Sequence, residues 1–315
     1  KYVLFEETYA GEKGKLDCNY WVLDYNLDKA KSQFQQASPM LKAFEHWFGP
    51  YPFYEDGFKL VESPHLGMEH QSAVAYGNGF QNGYRGRDLS GSGWGLKWDF
   101  IIIHESGHEW FGNNITSNEV ADMWVHEGFT NYSETIFTTY HYGKEAGDAY
   151  VQGTRKLIEN KSPIIGKYGV NEEGSGDMYY KGGNLVHFVR QLFNDDEKFR
   201  MALREMNQRF YHKITTSAEV EKFWSEKVGK DLSPLFEQYL REIQVPTFEF
   251  KREGNKLKYR WSDCLSNFNS PVRIELNHEK IWVYPTTTWK EYKSKNKIES
   301  INIDKNFYVG FTELF

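Results

Sequence analysis

The residues best equipped for chemistry stand in His104-Glu105-Ser106-Gly107-His108, followed after eighteen intervening residues by the carboxylate Glu127. Consecutive residues of an α-helix are roughly 100° apart, so His104 and His108, at i and i+4, leave one face with Cβ atoms about 5–6 Å apart. Two imidazoles so placed can share one zinc ion. Zinc binds histidine nitrogen at about 2.0–2.1 Å, and a catalytic site keeps three protein ligands with a fourth position open for water. Glu105 is turned off the histidine face, which makes it a poor ligand but lets it reach that open position as general base. The chemistry this predicts is zinc-assisted hydrolysis of a peptide bond.

The third ligand is expected at Glu127, in Trp124-Val125-His126-Glu127-Gly128-Phe129-Thr130-Asn131-Tyr132-Ser133-Glu134. Glu127, Asn131 and Glu134 fall at i, i+4 and i+7, a polar stripe on a helix that otherwise carries Phe129, Tyr132, Ile136 and Phe137. A ligand at Glu127, with Glu134 one layer out and hydrogen-bonded to a ligating imidazole, accounts for that stripe, because metal-bound histidine usually donates its other N–H to such a partner. The competing reading makes 104–108 a surface turn and 127–134 a solvated face. The added carboxylate and its stripe favour the metal.

These residues need a scaffold. The first histidine helix is predicted to begin at Asp99 as N-cap, with Phe100 to Ile103 as a buried lead-in. Upstream, Leu66 to Ala75 reads as an edge strand able to pair with a peptide backbone. Seven glycines between Tyr76 and Gly95 predict a mobile loop, without the Lys-Ser/Thr of a phosphate-binding loop. Residues 1–25 read as β-structure with Leu16, Cys18, Tyr20 and Val22 on one face. Two helices follow, the second opened by Ser38 as N-cap with Pro39 at its first position and closed by Gly49. From 145 to 242 the pattern is helical throughout, with a Thr216/Glu219 capping box and Ser233-Pro234 opening the last helix. Beyond Pro246 the runs Lys256 to Trp261 and Lys280 to Tyr284 predict a small β-sandwich. The fold class is thus α+β, divided as 1–25, the tail of an upstream β-domain and a lead-in strand; 26–245, the hydrolytic unit; and 246–315, the sandwich.

Composition narrows the function. The 315 residues are 17% aromatic, enough for large buried side chains, and 26% charged. Their 38 basic and 44 acidic residues give a net charge of −6 without a basic run, which argues against nucleic acid or an anionic membrane as partner. No stretch approaches the roughly 20 apolar residues of a membrane span. Cys18 and Cys264 lack metal-type spacing and do not report a redox compartment. The chain opens without an initiator Met or a signal-like segment and reads as a fragment. Its compartment stays open, periplasmic or secreted and cytoplasmic alike.

Taken together, three motifs resemble those of the zinc aminopeptidase family typified by aminopeptidase N. HESGHEWFGN (104–113) followed by WVHEGFTNYSE (124–134) is close to that family's zinc signature, GMEH (67–70) resembles its amine-recognition motif, and Tyr179-Tyr180-Lys181-Gly182 resembles its YxKG motif. The resemblance covers most of residues 1–245. It implies a thermolysin-like catalytic domain with one zinc on His104, His108 and Glu127, the base at Glu105, and an oxyanion-binding hydroxyl at Tyr179. Gly67, Met68 and Glu69 would meet the amino end of a peptide with a free N-terminus, Glu69 pairing with its ammonium. The usual GxMEN pattern reads Leu66-Gly67-Met68-Glu69-His70 here, with Leu for the first Gly and His for the Asn. In the family a preceding β-domain supplies a second amine-recognising residue, so this chain alone is expected to be weakly active. Other readings are an open-cleft endopeptidase, an epoxide hydrolase, or a binding module using Trp261, Trp282 and Trp289.

Overall fold

The computed structural model describes residues 1–315. In chain order it contains β1 (Tyr2–Gly11), β2 (Gly14–Leu23), α1 (Leu27–Gln33), α2 (Ala37–Phe48), β3 (Phe58–Glu62), β4 (Gly67–Met68), β5 (Val74–Tyr76), α3 (Phe100–Gly107), β6 (Ile115–Ser117), α4 (Trp124–Tyr142), α5 (Lys144–Thr154), α6 (Asp177–Phe193) and α7 (Asp196–Arg209). There follow β7 (Lys213–Thr215), α8 (Ser217–Val228), α9 (Ser233–Phe236), β8 (Thr247–Glu253), β9 (Lys256–Ser262), β10 (Val272–Leu276), β11 (Glu279–Val283), β12 (Lys290–Lys293), β13 (Ile301–Ile303) and β14 (Gly310–Glu313). The class is α+β.

A five-stranded sheet, in the order β1-β2-β3-β5-β4, floors the molecule. Leu16, Cys18, Tyr20 and Val22 alternate inward on β2 and are buried, as their period-two spacing predicts. Residues 1–25, expected as the tail of an upstream domain, form a hairpin whose second strand pairs in parallel with β3 of the same sheet. The expected edge strand over 66–75 is divided. The backbone turns at His70 to Ala73, with Ser72 at φ +50°, and the halves return as the antiparallel pair β4 and β5. Only β4, which carries Gly67 and Met68, lies at the sheet edge.

Against this sheet pack the helices. Ser38 is not the N-cap of α2: a 3₁₀ turn over 34–36 joins α1 to α2 without a break, and the Ser38 hydroxyl donates to Glu7 instead. Gly49 does end α2, at φ +97°. Asp99 caps α3 as expected, accepting from the backbone N–H groups of Ile101 and Ile102. The helical expectation for 145–242 fails over 158–176 and at β7. Pro163 removes a backbone donor there, and a Cβ on Gly174 would lie 1.5 Å from the Ile164 carbonyl oxygen, so the chain packs back on itself too closely for a helix. The Thr216/Glu219 capping box and the Pro234 helix start are both present.

Residues 247–313 form two small sheets, β11-β10-β13 and β12-β9-β8-β14, whose inward side chains join the same 66-residue core as the helices. Trp261 belongs to that core at 1% exposure, whereas Trp282 packs edge-on against Phe307 and Trp289 lies under Arg260. The three tryptophans therefore present no common binding row. No helix is long and apolar enough to cross a membrane.

Candidate metal centre and peptide cleft

Three helices meet where the chemistry is expected. α3 carries His104 and Glu105 and ends at His108, α4 carries Glu127 in its first turn, and α6 carries Tyr179. They approach closely because glycines face one another. A Cβ on Gly128 or Gly182 would come within 3.3 or 3.0 Å of the other residue's Cα, and one on Gly107 would meet the Ser133 hydroxyl at 2.5 Å. The Gly of Tyr179-Tyr180-Lys181-Gly182 is thus the crossing point of α4 and α6. Its Lys181 is buried and donates to the Glu242 carbonyl oxygen, away from the cleft.

The structure brings His104, His108 and Glu127 together. Both histidine Nε2 atoms point at Glu127 Oε2, at 3.6 Å and 3.4 Å. Donors bound at about 2.0–2.1 Å to one tetrahedral ion lie roughly 3.3 Å apart, so the set fits zinc. Glu127 Oε2 is buried without a hydrogen-bond partner, a costly state for a carboxylate unless a cation is shared with it. The far sides of both rings are held. His104 Nδ1 meets Glu134 Oε1 at 2.8 Å, and His108 Nδ1 lies 3.0 Å from the Phe111 carbonyl oxygen and 3.1 Å from the Thr130 hydroxyl. His126, beside Glu127, faces elsewhere: burial depresses it to a pKa of about 4, and its neutral Nε2 accepts from the Ser117 N–H.

Burial opposes charge on the two central histidines, yet their carboxylate neighbours outweigh it and raise both pKa values. Burial likewise opposes ionisation of Glu127, but His108 and His104 hold its carboxyl well below the usual range. A metal held there would replace those protons, because ligating imidazoles must be neutral. Glu105 is raised by burial, against the pull of the histidines.

Glu69 stands just past the edge strand, partly exposed, and its carboxylate, that of Glu105 and a His108 ring nitrogen all lie within 4.8 Å of one another. Its own carbonyl oxygen accepts from Asn113. Met68 is exposed. Gly67 lies against Glu105: a Cβ there would sit 2.4 Å from Glu105 Oε1. We expect Gly67→Ala to push the Glu105 carboxylate aside, so that kcat falls at least about tenfold while metal content, read by elemental analysis, is unchanged. Unchanged kcat would show that the carboxylate has room to move. Tyr179 stacks at 6.1 Å on His104, and it shares the cleft with Tyr180.

Sequence reasoning missed several supports. Tyr150 of α5 donates to Glu134 Oε2 at 2.6 Å, completing a chain from Tyr150 through Glu134 to His104, while Asn131 donates to the other Glu134 oxygen. No local spacing signals Tyr150, since it lies on a different helix. Thr130, three residues after Glu127, was legible in principle as the same helix face. The glycine-rich segment 77–95 is held rather than loose: Asn78 donates to Gln81, Gly83 and Asp99, and Asp88 accepts from Ser90 and Gly93. It supplies Tyr84 and Leu89 to the wall of the cleft.

A candidate His/Glu metal site in a mixed helix and sheet scaffold is what this geometry defines. The family profile described as "Peptidase family M1 domain" matches residues 33–239, and the chain belongs to that family. It is 27% identical over 307 residues to aminopeptidase B of Mus musculus, covering 87% of this chain and 44% of the relative. It is 26% identical to leukotriene A-4 hydrolase of Xenopus laevis, covering 64% and 34%, and 22% identical to aminopeptidase M1-B of Oryza sativa subsp. japonica, covering 64% and 24%. The chain therefore spans less than half the length of these relatives. A crystal structure of Legionella pneumophila aminopeptidase A in complex with aspartic acid shares the fold along the whole chain, at a TM-score of 0.77 and 14% identity, with 39% of that protein covered.

Proposed function

We propose that this chain carries the catalytic centre of a zinc-dependent aminopeptidase, with residues 26–245 as the peptidase unit and 246–315 as a small β-sandwich. The observation that carries the reading is the carboxylate of Glu69 beside Glu105 and the three-donor cluster. A peptidase working within chains has no use for an acid at that point. One that recognises an amino end needs it, because a carboxylate pairs with the substrate's ammonium through charge-assisted hydrogen bonds.

His104, His108 and Glu127 would hold one zinc ion, which when bound lowers the pKa of a water and polarises the scissile carbonyl. Glu134 fixes the His104 ring through its Nδ1–H, with Tyr150 and Asn131 fixing Glu134 in turn. Glu105 takes a proton on its carboxylate as water attacks and returns it to the leaving amine. Tyr179 donates its hydroxyl hydrogen to the carbonyl oxygen as negative charge develops there. Its pKa is raised by burial and by Glu127, so it remains a donor throughout the working range. Edge strand β4 offers the substrate backbone a partner.

The test compares one peptide with free and with acetylated N-terminus. The free form is expected to be cleaved, from its first residue, and the acetylated form to be resistant. Glu69→Ala should lower kcat/KM for the free form by about 10- to 100-fold, the worth of a hydrogen bond to a charged group, and narrow the difference between the two. Equal cleavage of both by the unaltered protein would point instead to an internal peptidase.

A further inference from the structure

Glu109, the residue after His108, is fully buried, lies outside the three-donor cluster and does not line the cleft. Its Oε1 accepts the Ser72 backbone N–H at 2.7 Å, and its Oε2 has no hydrogen-bond partner. Burying a carboxyl group for one backbone contact, with one oxygen left over, is a poor exchange for stability. An apolar side chain of like size would cost the interior less. What an apolar side chain could not do is hold Ser72.

Ser72 belongs to the turn, residues 69–73, that joins β4 to β5 and begins with Glu69. The turn has little of its own to fix it. β4 and β5 are paired only at Gly67 with Tyr76 and Met68 with Ala75. Ser72 itself stands in the left-handed region at φ +50°, which a residue with a side chain keeps only where its surroundings impose it. Contacts from outside the turn do so here. Glu109 takes the Ser72 N–H, the Tyr51 and Ser72 hydroxyls meet at 3.2 Å, and the Asn113 side-chain amide donates to the Glu69 carbonyl oxygen at 2.8 Å.

Both anchors leave the segment that follows α3, and that segment is closed on His108. The Asn113 backbone N–H donates to the His108 carbonyl oxygen at 3.0 Å, the Asn114 N–H to that of Glu109 at 3.2 Å, and His108 Nδ1 lies 3.0 Å from the Phe111 carbonyl oxygen. One short piece of chain thus fixes an imidazole of the metal site and also the turn that carries Glu69. We propose that Glu109 and Asn113 are positioning residues that set Glu69 in register with the metal, so that the amino end of a substrate is held at a fixed reach from the scissile bond. The inference rests on the aminopeptidase reading of Glu69. Neither residue touches the substrate; what they supply is orientation, because a peptide held by its ammonium at one end and its carbonyl at the other reacts only when the two holds agree.

The zinc-loaded protein is titrated by calorimetry with two metal-binding probes, leucine hydroxamate and its N-acetyl derivative, so the readout needs no turnover. The unaltered protein is expected to bind the free amine about 10- to 100-fold more tightly, the worth of a hydrogen bond to a charged group. Glu109→Met and Asn113→Ala should each bring that ratio to within about threefold of unity, with zinc content and affinity for the acetylated probe unchanged. Glu109→Gln should keep the full ratio, because its amide oxygen can still accept the Ser72 N–H. Should Glu109→Met fail to fold, Asn113→Ala decides, since Asn113 is only half-buried. A full ratio in a folded Glu109→Met or Asn113→Ala protein, an equal loss of affinity for both probes, or loss of the ratio in Glu109→Gln overturns the positioning role while the aminopeptidase reading stands. Equal binding of the two probes by the unaltered protein would remove that reading, and the proposal with it.

Discussion

Glu105→Gln is expected to keep zinc at one ion per chain and to lower kcat by about 10²- to 10⁴-fold, the range attributed to a positioned general acid or base. The substitution preserves the shape of the side chain, so it tests the proton-carrying function apart from packing. Packing matters here because Glu105 is buried and abuts Gly67. An amide at that position can accept a hydrogen bond from water but cannot take its proton at neutral pH. Metal analysis and initial rates on one aminoacyl substrate decide the matter. Turnover within a factor of two of the unaltered protein would mean that the base lies elsewhere, and Glu69, close by, would be the next carboxylate to replace.

The second large effect concerns the metal. In the doubly substituted His104→Ala, His108→Ala protein, zinc is expected to fall from one per chain to near zero, because the remaining donor, Glu127, is a single carboxylate. Removal of the rings also leaves Glu127 Oε2 buried with neither cation nor imidazole beside it. An uncompensated buried charge costs about 3–5 kcal/mol, so the variant should also melt well below the zinc-loaded protein. A ligand that binds only the folded state stabilises it in proportion to its affinity and concentration, so a chelator should lower the Tm of the unaltered protein. The same chelator should leave the double variant's Tm where it was. Stoichiometric zinc in the variant, or an equal chelator-induced drop in both proteins, would put the ion at another place.

How much of this could be read without coordinates depends on the range over which each feature is encoded. His104, Glu105 and His108 share one helical turn and its end, and Glu127, Asn131 and Glu134 share one helix. The 3.6-residue repeat alone therefore specifies their relative directions. Asp99, Thr216 with Glu219, Gly49 and Pro234 were legible for the same reason, since a cap acts on backbone groups within a turn of itself. Burial on β2 followed from period-two alternation. By contrast, Ser38 had the right type and a Pro after it but no helix start to cap, because tertiary packing carried α1 into α2. The strand over 66–75 read as continuous because nothing local announces the turn at Ser72. Its backbone N–H donates to Glu109, 37 residues away.

What the sequence by itself determined is the chemistry available: two imidazoles on one helix face with Glu105 turned off it, Glu127, Asn131 and Glu134 along one face of another helix, and motifs sufficient to suggest a peptidase family. What only the tertiary structure decided is their supports and their surroundings. Tyr150 reaches Glu134 from the next helix, and the α4–α6 crossing depends on two glycines, Gly128 and Gly182, whose absent side chains let the backbones touch. The glycine-rich segment 77–95 read as mobile because glycine composition reports the freedom of an isolated chain. In the fold Asn78 and Asp88 remove that freedom, and Tyr84 and Leu89 become the wall of a cavity. Spacing along a helix is fixed by backbone geometry and survives in the sequence, whereas a contact between distant segments depends on how whole elements pack, which no local pattern records.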